Sequence, residues 1–339
     1  MSNDSIKHFL TAAGWADAIR NALPGDASSR RYERLQNGDA RAMLLIQPEP
    51  AARSDYALAA KLAGNDPLAV VAIGEQLTRR GFSAPKTLAA DLDAGLILLE
   101  DFGDDLLARV LERDPAREAE LYGRAVDTLA AISRSTFPQG MDWHNRTWRA
   151  GTYDRDVLLT ETHLLLDWYA PDRGWDVDFA SRARWDAAWT DAFAVLDAHA
   201  PGLVLRDYHA ENLFVLDDRD FEAATGLIDY QDAVFGHPAY DLASLLEDAR
   251  RDVSPDIVPQ MIERFCHRAR IANTPDFRAA YAVIGAQRSA KILGIFVRLA
   301  QRDGKPRYRD LLPRVQAHFE RSLQNDALAP VRAWWEAQR

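Results

Sequence analysis

A group of acidic and amide side chains between residues 203 and 230 is the part of the sequence best suited to chemistry. Asp207 and Asn212 stand in a polar segment between two short apolar runs, and Asp229 follows a further apolar run. Carboxylate and carboxamide oxygens are the ligands that Mg²⁺ prefers. Phosphoryl transfer needs such a metal and a group that orients the attacking hydroxyl. The pattern therefore predicts that Asp207 orients a hydroxyl and accepts its proton, while Asn212 and Asp229 hold Mg²⁺.

The first hundred residues predict a small unit that mixes helices and strands. In chain order, the pattern predicts a helix over 5–22, a hairpin turn at 37–39, a strand over 42–47, a helix over 66–81, and strands over 87–90 and 95–101. The second helix is the clearest, because Asp66 can cap it, Pro67 suits its first turn and Gly81 can end it.

From about residue 104 the pattern is mainly helical, and strand signals nearly vanish. Residues 118–135 and 182–199 each place apolar side chains on one face, and helices resume from Tyr240 to the end. The exception is 203–230, where short apolar runs alternate with polar turns. This organisation predicts an α+β protein with two lobes, 1–102 and 103–339, and a ligand cleft between them.

Composition excludes several classes of protein. The chain has 339 residues, 47% of them hydrophobic, and a net charge of −10. It has no long run of Lys or Arg, which disfavours nucleic acid as a partner. Its single cysteine excludes an intrachain disulfide and a zinc site built on several thiolates. No apolar segment is long enough to span a bilayer and no signal core opens the chain, so we expect a cytoplasmic protein without a membrane partner.

The motif D-x-x-x-x-N followed by I-D resembles the aminoglycoside phosphotransferase branch of the protein-kinase-like fold. Three further segments match the nucleotide loop, the hinge and the helix after the metal loop: G-D-A-S-S-R-R-Y at 25–32, L-L-E-D-F-G at 98–103 and G-H-P-A-Y-D-L-A at 236–243. The resemblance implies a small β-rich N-lobe, a large mainly helical C-lobe, and Mg²⁺ with ATP as co-substrate. It also implies that Asp241 braces the catalytic loop.

The same resemblance implies which residues bind the nucleotide. Phosphate contacts are expected from the loop before the first long hairpin, and adenine contacts from the hinge. The residues concerned are Gly25, Ser28, Ser29, Arg30, Arg31, Glu100 and Phe102. At the hinge the backbone is expected to meet adenine, so the side chains there are secondary.

A narrower resemblance covers almost the whole chain. E-T-H-L-L-L-D-W-Y at 161–169, A-Q-R-S-A-K-I-L-G-I-F-V-R-L at 286–299 and R-D-G-K-P-R-Y at 302–308 resemble the bacterial anomeric N-acetylmuramate/N-acetylglucosamine kinases. In that family ATP phosphorylates the C1 hydroxyl of the sugar during cell-wall recycling. Glu161 and Arg288 lie in these segments, so the resemblance implies that they line an amino-sugar pocket. His209, two residues after Asp207, and the aromatic Trp168 are further candidates for that pocket. His209 either contacts substrate or supports the loop, and Trp168 either stacks on sugar or packs in the core.

Two departures from the wider family matter. Leu205 stands where a histidine usually precedes the catalytic aspartate, and the strand over 41–47 lacks the usual phosphate-binding lysine. We expect Arg30, Arg31 or Arg41 to supply that positive charge. Two alternatives remain: a kinase of the same fold acting on an aminoglycoside, choline or another sugar, and a nucleotide-binding pseudokinase. The preferred sugar, the choice of ATP or GTP and the oligomeric state stay open.

Overall fold

The structure, a computed structural model, describes residues 3–24, 30–47, 66–271 and 275–339. Its first part is a five-stranded antiparallel sheet of order β1-β2-β3-β5-β4. The strands are β1 Ile19–Ala22, β2 Arg31–Asn37, β3 Ala40–Ile46, β4 Thr87–Asp91 and β5 Leu96–Glu100. The predicted hairpin turn is confirmed, and Gly38 adopts a φ of 60° in it, a conformation that glycine tolerates at low cost.

The predicted helix over 5–22 is wrong in its second half. Helix α1 spans Asn3–Ala12, and Ile19–Ala22 forms strand β1, which pairs with β2. Gly14, at φ 79°, leaves the helical conformation. The apolar residue that suggested a longer helix, Ile19, is 64% exposed and does not continue the buried face of α1.

The second predicted helix is confirmed as α2, Pro67–Thr78. The Asp66 side chain accepts a hydrogen bond from the Leu68 N–H at 2.9 Å, so it caps the first turn as expected. Gly81 lies just beyond the helix at φ 86°. Strands β4 and β5 follow, close to their predicted positions.

The rest of the chain is mainly helical. Its helices are α3 Leu107–Arg113, α4 Glu118–Arg134, α5 Arg155–Leu164, α6 Phe179–Ala192, α7 Ala239–Leu246, α8 Val258–Ala269, α9 Pro275–Gln301, α10 Leu312–Ser322 and α11 Ala329–Ala337. A π-helical turn, Leu165–Tyr169, continues α5 and packs against α9. The main helices predicted here are confirmed.

The expectation that strands nearly vanish after residue 104 overlooked three short strands before residue 203 and one, Val234–Gly236, after residue 230. Strands β6 Gly140–Trp143 and β7 Arg146–Arg149 form a hairpin that packs on α2, and β8 Gly151–Thr152 follows. They are mostly exposed and carry polar residues, so they lack the alternating apolar pattern that identifies a half-buried strand.

The alternating segment 203–230 forms strands as predicted. Strand β9, Gly202–Val204, pairs with β12, Val234–Gly236, and β12 also pairs with β8. Strand β10, Leu213–Val215, pairs with β11, Thr225–Leu227. The loops between these strands carry the residues predicted to do chemistry.

Two hydrophobic cores organise the molecule. A small one lies between α1 and one face of the five-stranded sheet, with Leu35 and Leu44 fully buried in it. The large one joins the other face of that sheet, including Leu45, to α2 and the helices beyond residue 102. The division into units 1–102 and 103–339 stays a prediction. Among the described helices, none has the length and apolar content needed to cross a membrane.

Candidate active site

The β10–β11 hairpin brings the two predicted metal ligands together. Asn212 immediately precedes β10 and Asp229 follows β11, and Leu213 pairs with Leu227, so both ligands lie at the same end of the hairpin. The Ile228 N–H donates to the Asn212 carbonyl at 3.1 Å. As a result, Asn212 Nδ2 lies 3.5 Å from Asp229 Oδ2.

The loop that carries Asp207 is fixed from below by a buried carboxylate. Asp241, on α7, accepts hydrogen bonds from the Leu205 N–H at 2.6 Å and from the Arg206 N–H at 2.8 Å. This is the bracing role that the family resemblance implies. Leu205, in place of the usual histidine, is buried in the large core.

Two residues beside the site have strained backbones. Arg206 adopts φ 71° and Asp229 φ 59°, a left-handed conformation that costs free energy for residues other than glycine. The contacts of Asp241, Asn212 and Gln231 hold the two segments in these conformations. Strain of this kind is concentrated at functional sites.

The Asp207 side chain is half-buried, and none of the described residues donates a hydrogen bond to its carboxylate. Its backbone carbonyl accepts a hydrogen bond from Asn212 Nδ2 at 3.0 Å. The carboxylate therefore has acceptor capacity for a substrate hydroxyl, and the loop around it is held by main-chain contacts.

His209 is neutral. Burial lowers its pKa, with a smaller contribution from the nearby positive charges of Arg250 and Arg288. Its Nε2 lies 3.3 Å from Asn212 Nδ2 and 3.4 Å from Arg250 Nη1, and both of these groups are donors. Nε2 is therefore the acceptor and Nδ1 carries the proton. These contacts show that His209 orients Asn212; its contact with substrate stays a prediction.

Arg30 brings a positive charge to the end of the β10–β11 hairpin that carries Asn212 and Asp229. Its Nη1 lies 2.7 Å from Asp229 Oδ1, and its side chain is only 9% exposed. Gln231 Nε2 donates to the same oxygen at 2.9 Å. Arg31 is exposed, and Arg41 is exposed near the hairpin turn, opposite Gln36. Of the three candidate arginines, the structure therefore places Arg30 at the site.

The predicted nucleotide residues Gly25, Ser28 and Ser29 lie outside the described residues. At the hinge, Glu100 Oε1 pairs with Arg219 Nη2 at 2.6 Å, and the Phe102 ring meets Phe214 of β10 edge-to-face at 5.6 Å. A Cβ at Gly226 of β11 would lie 2.9 Å from the Phe102 ring, so only glycine fits there. The hinge therefore rests on the hairpin that carries Asn212 and Asp229.

A buried charge cluster lies beneath the catalytic loop. Glu161, on α5, pairs with Arg206 Nη2 and with Lys291 Nζ, each at 3.2 Å. The Tyr153 hydroxyl donates to Glu161, and Lys291 Nζ donates to the Tyr240 hydroxyl at 2.5 Å. Burial raises the pKa of Glu161, but Lys291 and Arg206 outweigh it, and the pKa is lowered overall.

This cluster bears on the predicted role of Glu161 in the sugar pocket. The side chain is 3% exposed, and the contacts it makes are with protein groups that hold Arg206, the neighbour of Asp207. The structure thus shows Glu161 supporting the loop, while its contact with substrate stays a prediction.

Sequence reasoning missed Arg206, Tyr153, Tyr240 and Lys291, because their partners lie far away in the sequence. One signal was present. Gln287, Arg288 and Lys291 interrupt an otherwise apolar stretch of α9, and all three are buried. Polar residues three and four apart on one buried helix face indicate a common polar partner.

The other predicted sugar-binding residues are Trp168 and Arg288. Trp168 is half-buried in the π-helical turn and packs against the large core, while Arg288 is buried on α9. A groove of about 550 Å³ lies elsewhere, between α1, β4 and the β6–β7 hairpin, and contains none of the predicted site residues.

Comparison with known proteins decides the family. A family model described as the phosphotransferase enzyme family matches residues 20–281. The chain belongs to this family. An N-acetylmuramate/N-acetylglucosamine kinase of Caulobacter vibrioides is 41% identical over an alignment that covers 97% of this phosphotransferase and 94% of the relative. A protein of the same name from Pseudomonas aeruginosa is 31% identical, covering 94% and 88%.

Solved structures support the fold. The crystal structure of an ADP-bound aminoglycoside phosphotransferase superposes with a TM-score of 0.58 at 12% identity, covering 94% of this phosphotransferase and 99% of the other chain. The family resemblance and the expected protein-kinase-like fold are thereby confirmed.

Proposed function

We propose that this phosphotransferase transfers the γ-phosphoryl group of ATP to the C1 hydroxyl of N-acetylmuramate and N-acetylglucosamine. The observation that carries the proposal is the 41% identity to a kinase of that name over 97% of the chain, because the match includes the helices that form the acceptor half of the site. Both acceptors are cell-wall amino sugars, so the reaction belongs to peptidoglycan recycling. A cytoplasmic location follows, because ATP is available there.

In this proposal Asp207 is the general base. Its carboxylate accepts the proton of the C1 hydroxyl as the sugar oxygen forms a bond to the γ-phosphorus. The bond between the γ-phosphorus and the bridging oxygen of ADP breaks, and ADP leaves. The Asp241 brace and the Asn212 contact hold the Asp207 loop so that donor and acceptor meet in line.

The residues present fit a Mg²⁺ ion shared with the nucleotide phosphates. Asn212 Nδ2 faces the Asp207 carbonyl and Asp229, which leaves Oδ1 as the ligand atom. No three His, Cys, Asp or Glu side chains gather into a metal site within the described ranges. Mg²⁺ is commonly held by one or two protein oxygens together with phosphate oxygens and water. The ion would neutralise charge on the phosphates, with Asn212 and Asp229 as its protein ligands.

Positive charge at the phosphates is assigned to Arg30, and the hinge at Glu100 and Phe102 is assigned to the adenine side. Arg30 is paired with Asp229 and is mostly buried, so it can approach phosphate oxygens without a large loss of side-chain freedom. Arg31 stays a weaker candidate, because its side chain is exposed.

An acceptor panel tests the proposal. Purified protein with labelled ATP and Mg²⁺ is offered N-acetylmuramate, N-acetylglucosamine, an aminoglycoside and choline, and phosphorylated product is measured. We expect product with the two amino sugars and none with the other acceptors. Transfer to the aminoglycoside or choline alone would instead favour another kinase of this fold, and nucleotide binding without transfer would favour a pseudokinase.

A further inference from the structure

Arg288, on α9, is a buried cation that forms no ion pair with any of the described residues. The residue is 7% exposed, and the contact it makes is with the ring of Tyr240, whose centroid lies 5.9 Å from the guanidinium carbon. Across the described part of the chain, no hydrogen bond or ion pair reaches its guanidinium. The neighbouring buried cations Arg206 and Lys291 are both paired with Glu161. An unpaired buried charge is costly, so a partner for it is expected from outside the chain.

The carboxyl groups around Arg288 do not neutralise it fully. The nearby charged and titratable groups are Asp241, Glu247, His209 and His318. Burial raises the pKa of both Asp241 and Glu247 to about 7, so each carboxyl retains a proton in much of the population at neutral pH. Burial lowers the pKa of His318 to about 4, so this histidine adds no positive charge there.

Glu247 approaches α9 on the face that carries Arg288. A Cβ at Gly285 would lie 2.7 Å from Glu247 Oε2, and Gly285 is three residues before Arg288 on that helix. The glycine lets the loop after α7 come close, and Glu247 still makes no ion pair with Arg288 among the residues described. The Arg288 guanidinium therefore remains available to bind an anion, with the Glu247 carboxyl group nearby.

The position of Arg288 matches the acceptor side of the site. Asp241, one of its charged neighbours, holds the backbone of Leu205 and Arg206, and His209 lies two residues after Asp207. Arg30 already serves the opposite, metal-binding side through Asp229. Arg288 thus lies near the loop that carries Asp207, and it is distinct from Arg30, the cation assigned to the phosphates.

We propose that Arg288 binds the carboxylate of an anionic acceptor, namely the lactyl carboxylate of N-acetylmuramate. The inference rests on the proposed function and adds a determinant of sugar preference. A guanidinium matches a carboxylate with two parallel hydrogen bonds, and burial strengthens them. N-acetylglucosamine carries a neutral hydroxyl in place of the lactyl ether, so it gains nothing from this charge.

The test compares Arg288→Met with wild type on both sugars. For N-acetylmuramate we expect KM to rise about tenfold to hundredfold, the loss typical of a charge-assisted hydrogen bond. For N-acetylglucosamine the rise in KM should be at least about tenfold smaller, because its neutral hydroxyl forms no ion pair with Arg288. The methyl ester of N-acetylmuramate lacks the carboxylate charge. Its KM with wild type should therefore exceed that of N-acetylmuramate by the same factor by which Arg288→Met raises KM for N-acetylmuramate.

Two controls separate binding from folding. Arg288→Lys keeps the charge and should retain part of the preference for N-acetylmuramate. The melting temperature of Arg288→Met should equal or exceed that of wild type, because the substitution removes an uncompensated buried charge. N-acetylmuramate should raise the melting temperature of wild type more than that of Arg288→Met, which reports binding without turnover.

Three results would overturn the inference. If wild type uses both sugars and Arg288→Met loses them equally, Arg288 has a general role in the site and the inference alone fails. An unchanged KM for N-acetylmuramate has the same consequence. If wild type phosphorylates neither sugar, the proposed function fails and the inference falls with it.

Discussion

At Asp229, one carboxylate oxygen accepts hydrogen bonds from both Arg30 and Gln231. Protein kinases usually supply the phosphate-binding charge from a lysine on a central strand, and here β3 contains none. Arg30 immediately precedes β2, and its guanidinium reaches Asp229. In the proposed site, Arg30 therefore supplies the positive charge in place of a lysine on β3.

Substitution of Arg30 tests this assignment. Arg30→Ala should raise KM for ATP about tenfold to hundredfold, because a charge-assisted contact to phosphate is lost. Arg41→Ala is the matched comparison, since Arg41 pairs opposite Gln36, about 17 Å along the strand from the Arg31 end of the hairpin. Steady-state kinetics with varied ATP measure KM for the two variants. An equal KM for ATP in Arg30→Ala and Arg41→Ala would contradict this role of Arg30.

At the residue scale, the sequence allowed predictions only where the residues concerned are close together in the chain. Asp207, Asn212 and Asp229 could be proposed from the sequence because the motif lies within 23 residues, and the structure brings Asn212 and Asp229 to within 3.5 Å of each other. Which arginine replaces the lysine depends on strand register, and the partners of Glu161 lie up to 130 residues away, on α9. Neither can be read from a single sequence without the fold.

Among the elements, α5, α7 and α9 meet beneath the catalytic loop and place Glu161, Tyr240 and Lys291 together. The cluster holds Arg206 in its strained conformation from below, while Asp241 holds its backbone. Arg206 and Lys291 both pair with Glu161, so removal of either cation leaves the buried carboxylate with one charged partner.

Lys291→Met should lower the free energy of unfolding by about 2 kcal/mol at pH 7, because Glu161 keeps Arg206 but loses its second charged partner. The folded-state pKa of Glu161 is below its usual value, so its ionised form stabilises the fold above about pH 4.5, and this contribution is lost as pH falls. The difference in free energy of unfolding between wild type and Lys291→Met should therefore become smaller towards pH 4. Urea denaturation across this range measures it.

The matched control lies on the same helix. Arg278→Met removes an ion pair with Glu263 in which the arginine side chain is 51% exposed, and it should cost less than about 1 kcal/mol. A loss for Lys291→Met no greater than that of Arg278→Met, or one that does not change with pH, would contradict the role assigned to the cluster.

Helices and strands with strong local sequence signals were predictable, whereas short strands without such signals were not. Helix α2 has a capping aspartate, a proline in its first turn and a glycine beyond its end, and its bounds were found closely. Strand β1 is four residues long with an exposed pattern, and the β6–β7 hairpin is also mostly exposed. Such strands are defined by their pairing partners, which composition does not reveal.

Across the whole molecule, the large core joins the N-terminal sheet to the helical region, so the hinge, the β10–β11 hairpin and the catalytic loop are supported by one packed body. The order of lobes and the kinase-like fold were predictable because a mixed segment precedes a long helical one. The buried cluster around Glu161 was not predictable, because it depends on how α9 packs against α5 and α7.

The most direct measurement identifies the position of the transferred phosphate. Wild type and Asp207→Asn are incubated with ATP, Mg²⁺ and N-acetylglucosamine, and phosphorus–carbon couplings in the product are assigned by NMR. We predict phosphate on C1 with wild type, turnover at least about a hundredfold lower with Asp207→Asn, and nucleotide affinity changed less than about twofold. Phosphate on a ring hydroxyl, or near-normal turnover in Asp207→Asn, would contradict the account.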